Sequence, residues 1–221
     1  MRKISLFFCV AFPMFFLTTL LYAQEYQWGL KTGYTFSHMQ NIGGESPMHG
    51  FHLGATLRHP IGKNSFFVPS LLFENNGFRH NGITFSDSGT YSYDCSAFYL
   101  TLPLTFQHSV AVTENTRLLF GGGIYFAMGI SGTCRVNKTT PETNTKALPS
   151  TPSTRQSFRD LEIFSGFANR WDYGLEGGIG LSIYNFELTA YYNWGVGVFH
   201  SLPDGSHLRY STWRFSLAYY L

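Results

Sequence analysis

Eight segments of the chain, each about eleven residues long, alternate apolar residues with glycine, small or polar residues. In the first segment, residues 26–36, the apolar side chains of Trp28, Leu30 and Tyr34 share one parity. Gly29 and Gly33 share the other parity. A period of two places the two sets on opposite faces of a β-strand. The alternation therefore predicts an all-β fold.

Seven further segments repeat this alternation. They cover residues 50–58, 65–76, 97–107, 118–128, 171–183, 186–194 and 213–221. The segment at 65–76 is the least regular, because Phe66 and Val68 place apolar groups on the second face and Pro69 cannot donate a ladder hydrogen bond. Alternately short and long connections separate the segments, as in bacterial barrels. The sequence predicts an eight-stranded antiparallel up-and-down transmembrane β-barrel.

The charged residues of the strands decide between a membrane barrel and a soluble one. A soluble barrel of the lipocalin type has the opposite arrangement, with apolar side chains inside and charged side chains outside. A Lys or Arg on the lipid face at mid-bilayer costs about 2–4 kcal/mol, whereas a polar interior accommodates it. We therefore expect the aromatic parity to face lipid. All the strand charges lie on the glycine-rich parity: Lys31, Arg58, Glu74, Arg117, Asp172, Glu176, Glu187 and Arg214.

The N-terminal residues 1–23 have the layout of a secretory signal peptide. Arg2 and Lys3 precede an apolar run, and Ala23 supplies a small residue for cleavage. A retained membrane helix is the alternative, since the run could nearly span a bilayer, but Pro13 interrupts it. We expect export and cleavage after Ala23, which leaves a barrel domain over residues 24–221.

Charge excludes a nucleic-acid surface. Only 13% of the residues are charged, beside 18% aromatic residues, whereas a soluble domain carries about 25% charged residues. The chain has 15 Lys and Arg against 13 Asp and Glu, so loss of Arg2 and Lys3 leaves 13 against 13. A neutral chain without clustered cations is not expected to bind nucleic acid.

The connections predict the orientation. Those at 60–64, 108–115 and 184–185 are short, whereas those at 37–48, 77–96, 131–170 and 200–209 are long. Short turns of such barrels face the periplasm, so both mature termini are expected there, in the outer membrane of a Gram-negative bacterium. The loop at 131–170 is rich in Thr, Ser and Pro and then apolar around Phe158 to Phe167. That spacing predicts a short amphipathic helix that caps the barrel or meets a partner.

The barrel interior is expected to hold ion pairs. Counting along the strands places Lys31, Glu176 and Arg214 near mid-height and predicts a network centred on Glu176. Separately hydrated charges are the alternative. Eight strands leave room for little beyond side chains, so the barrel is expected to be filled. Three charges nearer the ends complete the predicted set: Glu187, Arg58 and Asp172.

Two cysteines remain after cleavage, Cys95 and Cys134, near the tops of neighbouring strands. In an oxidising compartment they can form a disulfide between the second and third long loops, and free thiols are the alternative. The glycine clusters at 121–123 and 177–180 match no phosphate-binding pattern. We expect no enzymatic activity, no cofactor and no metal site.

Several stretches resemble a known family. Residues 29–33 (Gly-Leu-Lys-Thr-Gly), 66–77, 99–104 (Tyr-Leu-Thr-Leu-Pro-Leu), 119–129 and 171–180 are similar to the small outer-membrane β-barrel proteins of the Bacteroidota, labelled porin-like or PorT-like. The resemblance implies the barrel fold and the outer membrane. It also implies that the terminal strand, ending at Leu221, is read by the outer-membrane insertion machinery. A few relatives take part in assembling a protein secretion machine.

The first functional hypothesis is a non-enzymatic scaffold with a filled polar interior, which contacts outer-membrane lipid and displays loops to a protein partner. The second is a component of a secretion or assembly machine. A narrow solute channel is the third, and the strand count and the filled interior disfavour it.

Overall fold

The computed structural model describes residues 26–40, 45–85, 89–139, 155–164, 169–201 and 207–221. The expected signal peptide at 1–23 and much of the loop at 131–170 lie outside the described residues. Within the described ranges, no helix has the length and hydropathy needed to cross a bilayer.

The described residues form a closed antiparallel barrel. Eight strands follow one another around the sheet in the order β1-β2-β3-β4-β5-β7-β8-β10, and β10 pairs back with β1. The short strands β6 and β9 pair with β5 and β10. The predicted eight-stranded barrel is confirmed. The strands are β1 (Gln27–Gln40), β2 (Glu45–Pro60), β3 (Ser65–Phe85), β4 (Gly89–Ala111), β5 (Thr116–Thr139), β6 (Arg155–Glu162), β7 (Trp171–Ile183), β8 (Phe186–Gly195), β9 (His200–Ser201) and β10 (His207–Tyr220).

The first and last strands close the barrel. Their register runs from Gly29 opposite Tyr220 to Gln40 opposite Arg209. The backbone N–H of Leu221 donates to the carbonyl oxygen of Trp28 at 2.8 Å, which fixes the end of the chain beside the start of β1. These ends lie with the turns β2–β3, β4–β5 and β7–β8. We call this the short-turn end and the opposite one the long-loop end.

The tightest connection contains two residues, Tyr184 and Asn185, between β7 and β8. Tyr184 has a φ of 52°, in the left-handed region. Two-residue hairpins favour turns with positive φ, because their twist matches that of the flanking strands.

The faces of the sheet are inverted relative to a soluble protein. Leu30 and Leu53 on the outward face are 65% and 58% exposed, whereas Arg214 and Glu187 on the inward face are 2% and 1% exposed. An outward apolar band around a polar interior is the arrangement that a bilayer stabilises.

Three strands are much longer than the apolar band requires. β3, β4 and β5 contain 21, 23 and 24 residues, whereas β8 contains 10. A tilted strand crosses a bilayer with about 9–11 residues. The extra length, residues 77–85, 89–96 and 130–139 together with β6, forms a sheet that we call the wall.

The sequence did not predict the wall, and the predicted helix is wrong over the part that the structure describes, residues 158–164. Residues 155–162 form β6, which pairs with the extended β5. An unpaired edge of β5 satisfies its backbone groups by adding another strand, and this pairing prevails over helical spacing. Ile163 and Phe164 follow in a turn and are buried.

Candidate functional site

Arg214 of β10 is the centre of the barrel interior. Its Nε donates to Glu74 Oε1 at 2.6 Å, and its Nη1 donates to Glu176 Oε2 at 3.2 Å. The hydroxyl of Thr101 donates to the second carboxylate oxygen of Glu74, and the hydroxyl of Thr105 donates to that of Glu176. One guanidinium thus links β3, β7 and β10, and the two threonines add β4. Charge-assisted hydrogen bonds of this kind are stronger than neutral ones.

A second ion pair lies nearer the short-turn end. Arg58 pairs with Glu187, and Gln107 Nε2 donates to Glu187 Oε1 at 3.0 Å. The Arg58 guanidinium also lies 4.0 Å from the ring centroid of Tyr220 and 5.3 Å from that of Phe66. The cation therefore has a carboxylate on one side and aromatic faces on the other, an arrangement that suits arginine better than lysine.

The observed interior differs from the predicted network in its centre. Arg214 occupies the centre instead of Glu176, and its shortest contact is with Glu74, which the predicted network did not include. Lys31 Nζ lies 5.9 Å above the ring of Tyr191. Asp172 lies apart from these pairs, where it accepts from Tyr125 Oη at 3.0 Å. Tilt and stagger of the strands bring residues of different nominal height together, which counting cannot show.

Glycines make room for the large interior side chains. A Cβ built on Gly121 would collide with the hydroxyl of Tyr191. That hydroxyl accepts from Gln107 Nε2 at 3.3 Å, so it is held in place. Glycine at this position therefore serves the packing of the interior. This agrees with the sequence, in which the glycine clusters match no phosphate-binding pattern.

An apolar cluster covers the interior at the long-loop end. Tyr99 and Tyr210 pack edge to face at 6.2 Å between ring centroids, and Phe199 contacts Tyr210 at 4.9 Å. Cys95 and Cys134 face each other on β4 and β5 and are joined by a disulfide within this cluster. We call the cluster the cap. It comprises Met39, Phe78, Cys95, Ala97, Tyr99, Tyr125, Ala127, Cys134, Ile163, Phe164, Phe199, Leu208 and Tyr210.

Within the described part of the chain, cavities lie on either side of the Arg214 layer. The one beneath the cap is about 10 Å³, is lined by Asn193, Tyr99 and Asp172, and has room for about one water. The other is about 350 Å³ and opens at the short-turn end between Arg58 and Arg117. Among the described residues, no group of three or more His, Cys, Asp or Glu is placed to hold a metal ion.

A closed antiparallel barrel with an apolar exterior, buried ion pairs and long strands at one end defines an integral outer-membrane β-barrel protein. A family model described as "Outer membrane protein beta-barrel domain" matches residues 22–201. The chain belongs to this family, and its place is the outer membrane of Gram-negative bacteria.

Solved structures show similar chains. The attachment invasion locus protein Ail of Yersinia pestis is 15% identical, with 90% of this chain and 100% of Ail covered and a TM-score of 0.39. Neisserial surface protein A is 8% identical, with 88% and 96% covered and a TM-score of 0.40. The translocator domain of the autotransporter NalP from Neisseria meningitidis is 10% identical, with 99% and 97% covered and a TM-score of 0.29. No curated protein matches the chain.

Proposed function

We propose that the protein is a non-enzymatic scaffold whose filled barrel carries the wall and the adjoining loops for contact with a partner. The length of the wall carries this proposal. β3, β4 and β5 have 21, 23 and 24 residues, about twice what crossing the bilayer needs. Because crossing does not require the additional residues, their role lies beyond the bilayer.

Two cross-strand links join the strands of the wall, and the disulfide is the stronger of them. The disulfide between Cys95 and Cys134 joins β4 to β5 at its base. Arg79 Nη2 donates to Asp94 Oδ2 at 2.9 Å and joins β3 to β4 on the exposed face. A preordered surface loses little conformational entropy when a partner binds, which favours an interaction role.

The interior supports a scaffold over a channel. Arg214, Glu74 and Glu176 meet across the barrel, and the cap lies between them and the long-loop end. An eight-stranded barrel has an interior just wide enough for its side chains. We therefore regard the interior as filled from the Arg214 layer to the cap, which leaves the cavity at the short-turn end closed on that side.

The difference between the two ends supports an orientation. Short turns face the periplasm in bacterial barrels and long loops face outward. We therefore propose that the wall lies outside the cell and both mature termini lie in the periplasm, after cleavage at Ala23. The insertion machinery would then meet the terminal strand, which ends at Leu221, from the periplasmic side.

Conductance in planar bilayers tests the filled interior. The purified protein should give no stepwise conductance, because the Arg214 layer and the cap both obstruct the passage. Stepwise, salt-dependent conductance of the folded protein would overturn the scaffold and favour a solute channel.

Affinity purification from membranes with mass spectrometry tests the wall. In the comparison variant a short Gly-Ser turn replaces residues 79–94, which keeps Cys95 and the membrane-spanning parts of every strand. Proteins that bind the wall should be recovered with the wild type and lost with the folded variant. An unchanged set of proteins would show that the wall is not the interaction surface.

The same purification tests the second functional hypothesis. A component of a secretion machine recruited through the barrel exterior or the periplasmic turns would keep its partners in the shortened variant. That role, and the PorT-like relationship within the Bacteroidota, stay predictions from the sequence resemblance.

A further inference from the structure

The outward face of the barrel changes from aromatic to polar near the long-loop end of three adjacent strands. On β1, Phe36 is followed on the same face by His38 and Gln40, and on β10 Arg209 lies opposite Gln40. On β2, His49 lies opposite Phe36. We call His38, Gln40, His49 and Arg209 the rim cluster.

Strand geometry places the rim cluster at the edge of the apolar band. His38 follows Trp28, the lowest outward aromatic residue of β1, by ten residues, and Arg209 precedes Tyr219, the lowest outward aromatic residue of β10, by ten residues. Ten residues of a tilted strand span about 25 Å along the barrel axis. The apolar band of such barrels is about 25 Å tall. The rim cluster therefore lies at the level of the lipid headgroups at the long-loop end.

The aromatic residues below and beside the rim cluster hold its histidines at the surface. His38 stacks on Tyr192 with 6.4 Å between ring centroids, and His49 contacts Phe36 at 5.0 Å. Tyr192 in turn contacts Trp213 at 4.9 Å. These outward rings present a surface for acyl chains directly beneath polar side chains, as amphipathic rings do at a membrane interface.

Arg209 supplies the charge of the rim cluster. It is half-buried, and its Nε is a buried atom with no hydrogen-bond partner among the described residues. Its neighbour Gln40 donates to Ser211 Oγ through Nε2. The rim cluster contains one guanidinium and two imidazoles. Glu45 shares the outward parity of β2 with His49, four residues nearer the long-loop end. A guanidinium fork of this kind matches the oxygens of a phosphate.

We propose that the rim cluster binds the phosphate group of an anionic lipid in the leaflet at the long-loop end, with the acyl chains against Trp213, Tyr192 and Phe36. Arg209 contacts the phosphate, His38 donates to it from the neighbouring strand, and His49 lies lower, against the ring of Phe36. In the orientation proposed above, this is the outer leaflet. The lipid site does not depend on the wall.

Native mass spectrometry of the detergent-solubilised protein with purified diphosphoryl lipid A tests this site. The wild type should retain a bound lipid at low lipid concentration. Loss of one charge-assisted contact in Arg209→Gln should weaken binding at least about fivefold. Arg117→Gln removes the same charge at the short-turn end, where Arg117 is exposed, and should bind like the wild type.

Comparing lipids on the wild-type protein tests the phosphate site without any variant, so the test holds even where Arg209→Gln fails to fold. Diphosphoryl lipid A should bind more tightly than its dephosphorylated form. Equal binding of the two forms, or equal weakening by Arg209→Gln and Arg117→Gln, would overturn the proposal.

Inorganic phosphate distinguishes a lipid site from a simple anion site. It should displace lipid A only at far higher concentration, because it gains nothing from the outward rings. Displacement at equal concentration would show that a free anion is the ligand. The variant shortened at residues 79–94 should bind lipid A like the wild type, so a failure of the scaffold proposal remains distinguishable from a failure of the lipid site.

Discussion

Arg214 Nε lies 2.6 Å from Glu74 Oε1, and the two residues are 140 positions apart in the chain. Their side chains are each 2% exposed. The contact joins β10 to β3 across the interior, between strands that are not neighbours in the sheet. It therefore ties opposite parts of the barrel together in a way that ladder hydrogen bonds do not.

We expect Glu74→Gln to lower the stability of the barrel substantially. Arg214 loses its nearer carboxylate and keeps only Glu176 at 3.2 Å, so the loss of stability should approach about 3–5 kcal/mol, the cost of breaking a buried pair. The measurement is the thermal or urea-induced unfolding midpoint in detergent. Arg79→Gln is the control, since its exposed pair with Asp94 should contribute only about 0–1 kcal/mol. Equal shifts for both variants would mean that the interior pair adds nothing beyond a surface pair.

Glu176→Gln tests whether Arg214 needs both carboxylates. The variant should also lower the unfolding midpoint, because Arg214 Nη1 loses a charged acceptor at 3.2 Å. The double variant Glu74→Gln with Glu176→Gln should show a non-additive loss, since the two acceptors share one guanidinium. Strictly additive effects would contradict a shared network.

The disulfide between Cys95 and Cys134 should protect both thiols and stabilise the wall. Without reductant, the unfolded mature protein, which lacks Cys9, should not react with a maleimide, and with reductant it should take up two labels. Cys95→Ser with Cys134→Ser should unfold more readily, because the cross-link closes a separation of 39 residues and such links contribute about 2–4 kcal/mol. Full labelling without reductant would show free thiols.

Adjacent glycines of β5 should respond differently to alanine. A Cβ on Gly123 would collide with the backbone oxygen of Leu104, which cannot move without breaking the ladder. A Cβ on Gly122 meets nothing nearer than the Glu176 oxygen at 3.4 Å. Gly123→Ala should therefore reduce the folded fraction, while Gly122→Ala should not. The heat-dependent mobility shift on gels measures this fraction, and an equal loss for both variants would show that space at Gly123 is not limiting.

Cysteine labelling in intact cells tests the orientation. Asn169 lies at the long-loop end and Asn64 in a short turn, and both are exposed. Asn169→Cys should react with an impermeant maleimide, while Asn64→Cys should react only after the outer membrane is opened. Reaction at Asn64 in intact cells would reverse the proposed orientation.

The interior shows how far sequence reasoning reaches. Alternation placed Glu74, Glu176 and Arg214 on the inward face of the sheet, because the face of a strand residue follows from its position in the local sequence alone. It did not show that Glu74 is the nearest carboxylate to Arg214. That contact depends on the tilt and stagger of strands far apart in sequence.

The wall shows the opposite case. Its residues lack the apolar and glycine alternation of the membrane band. The long-loop ends of β3, β4 and β5 were therefore predicted near residues 76, 97 and 128. The observed strands extend further, to Phe85, Gly89 and Thr139 respectively. Pairing between neighbouring strands, once started in the barrel, continues because each added residue satisfies its backbone groups.

The sequence by itself determined the fold class, the strand number and the face that meets lipid, since these follow from local alternation and from the cost of charge in hydrocarbon. The tertiary structure decided which carboxylates meet Arg214, that Cys95 lies opposite Cys134, and that residues 155–162 form a strand. These outcomes depend on strand register and stagger, and both are set when the sheet closes on itself rather than by any one segment.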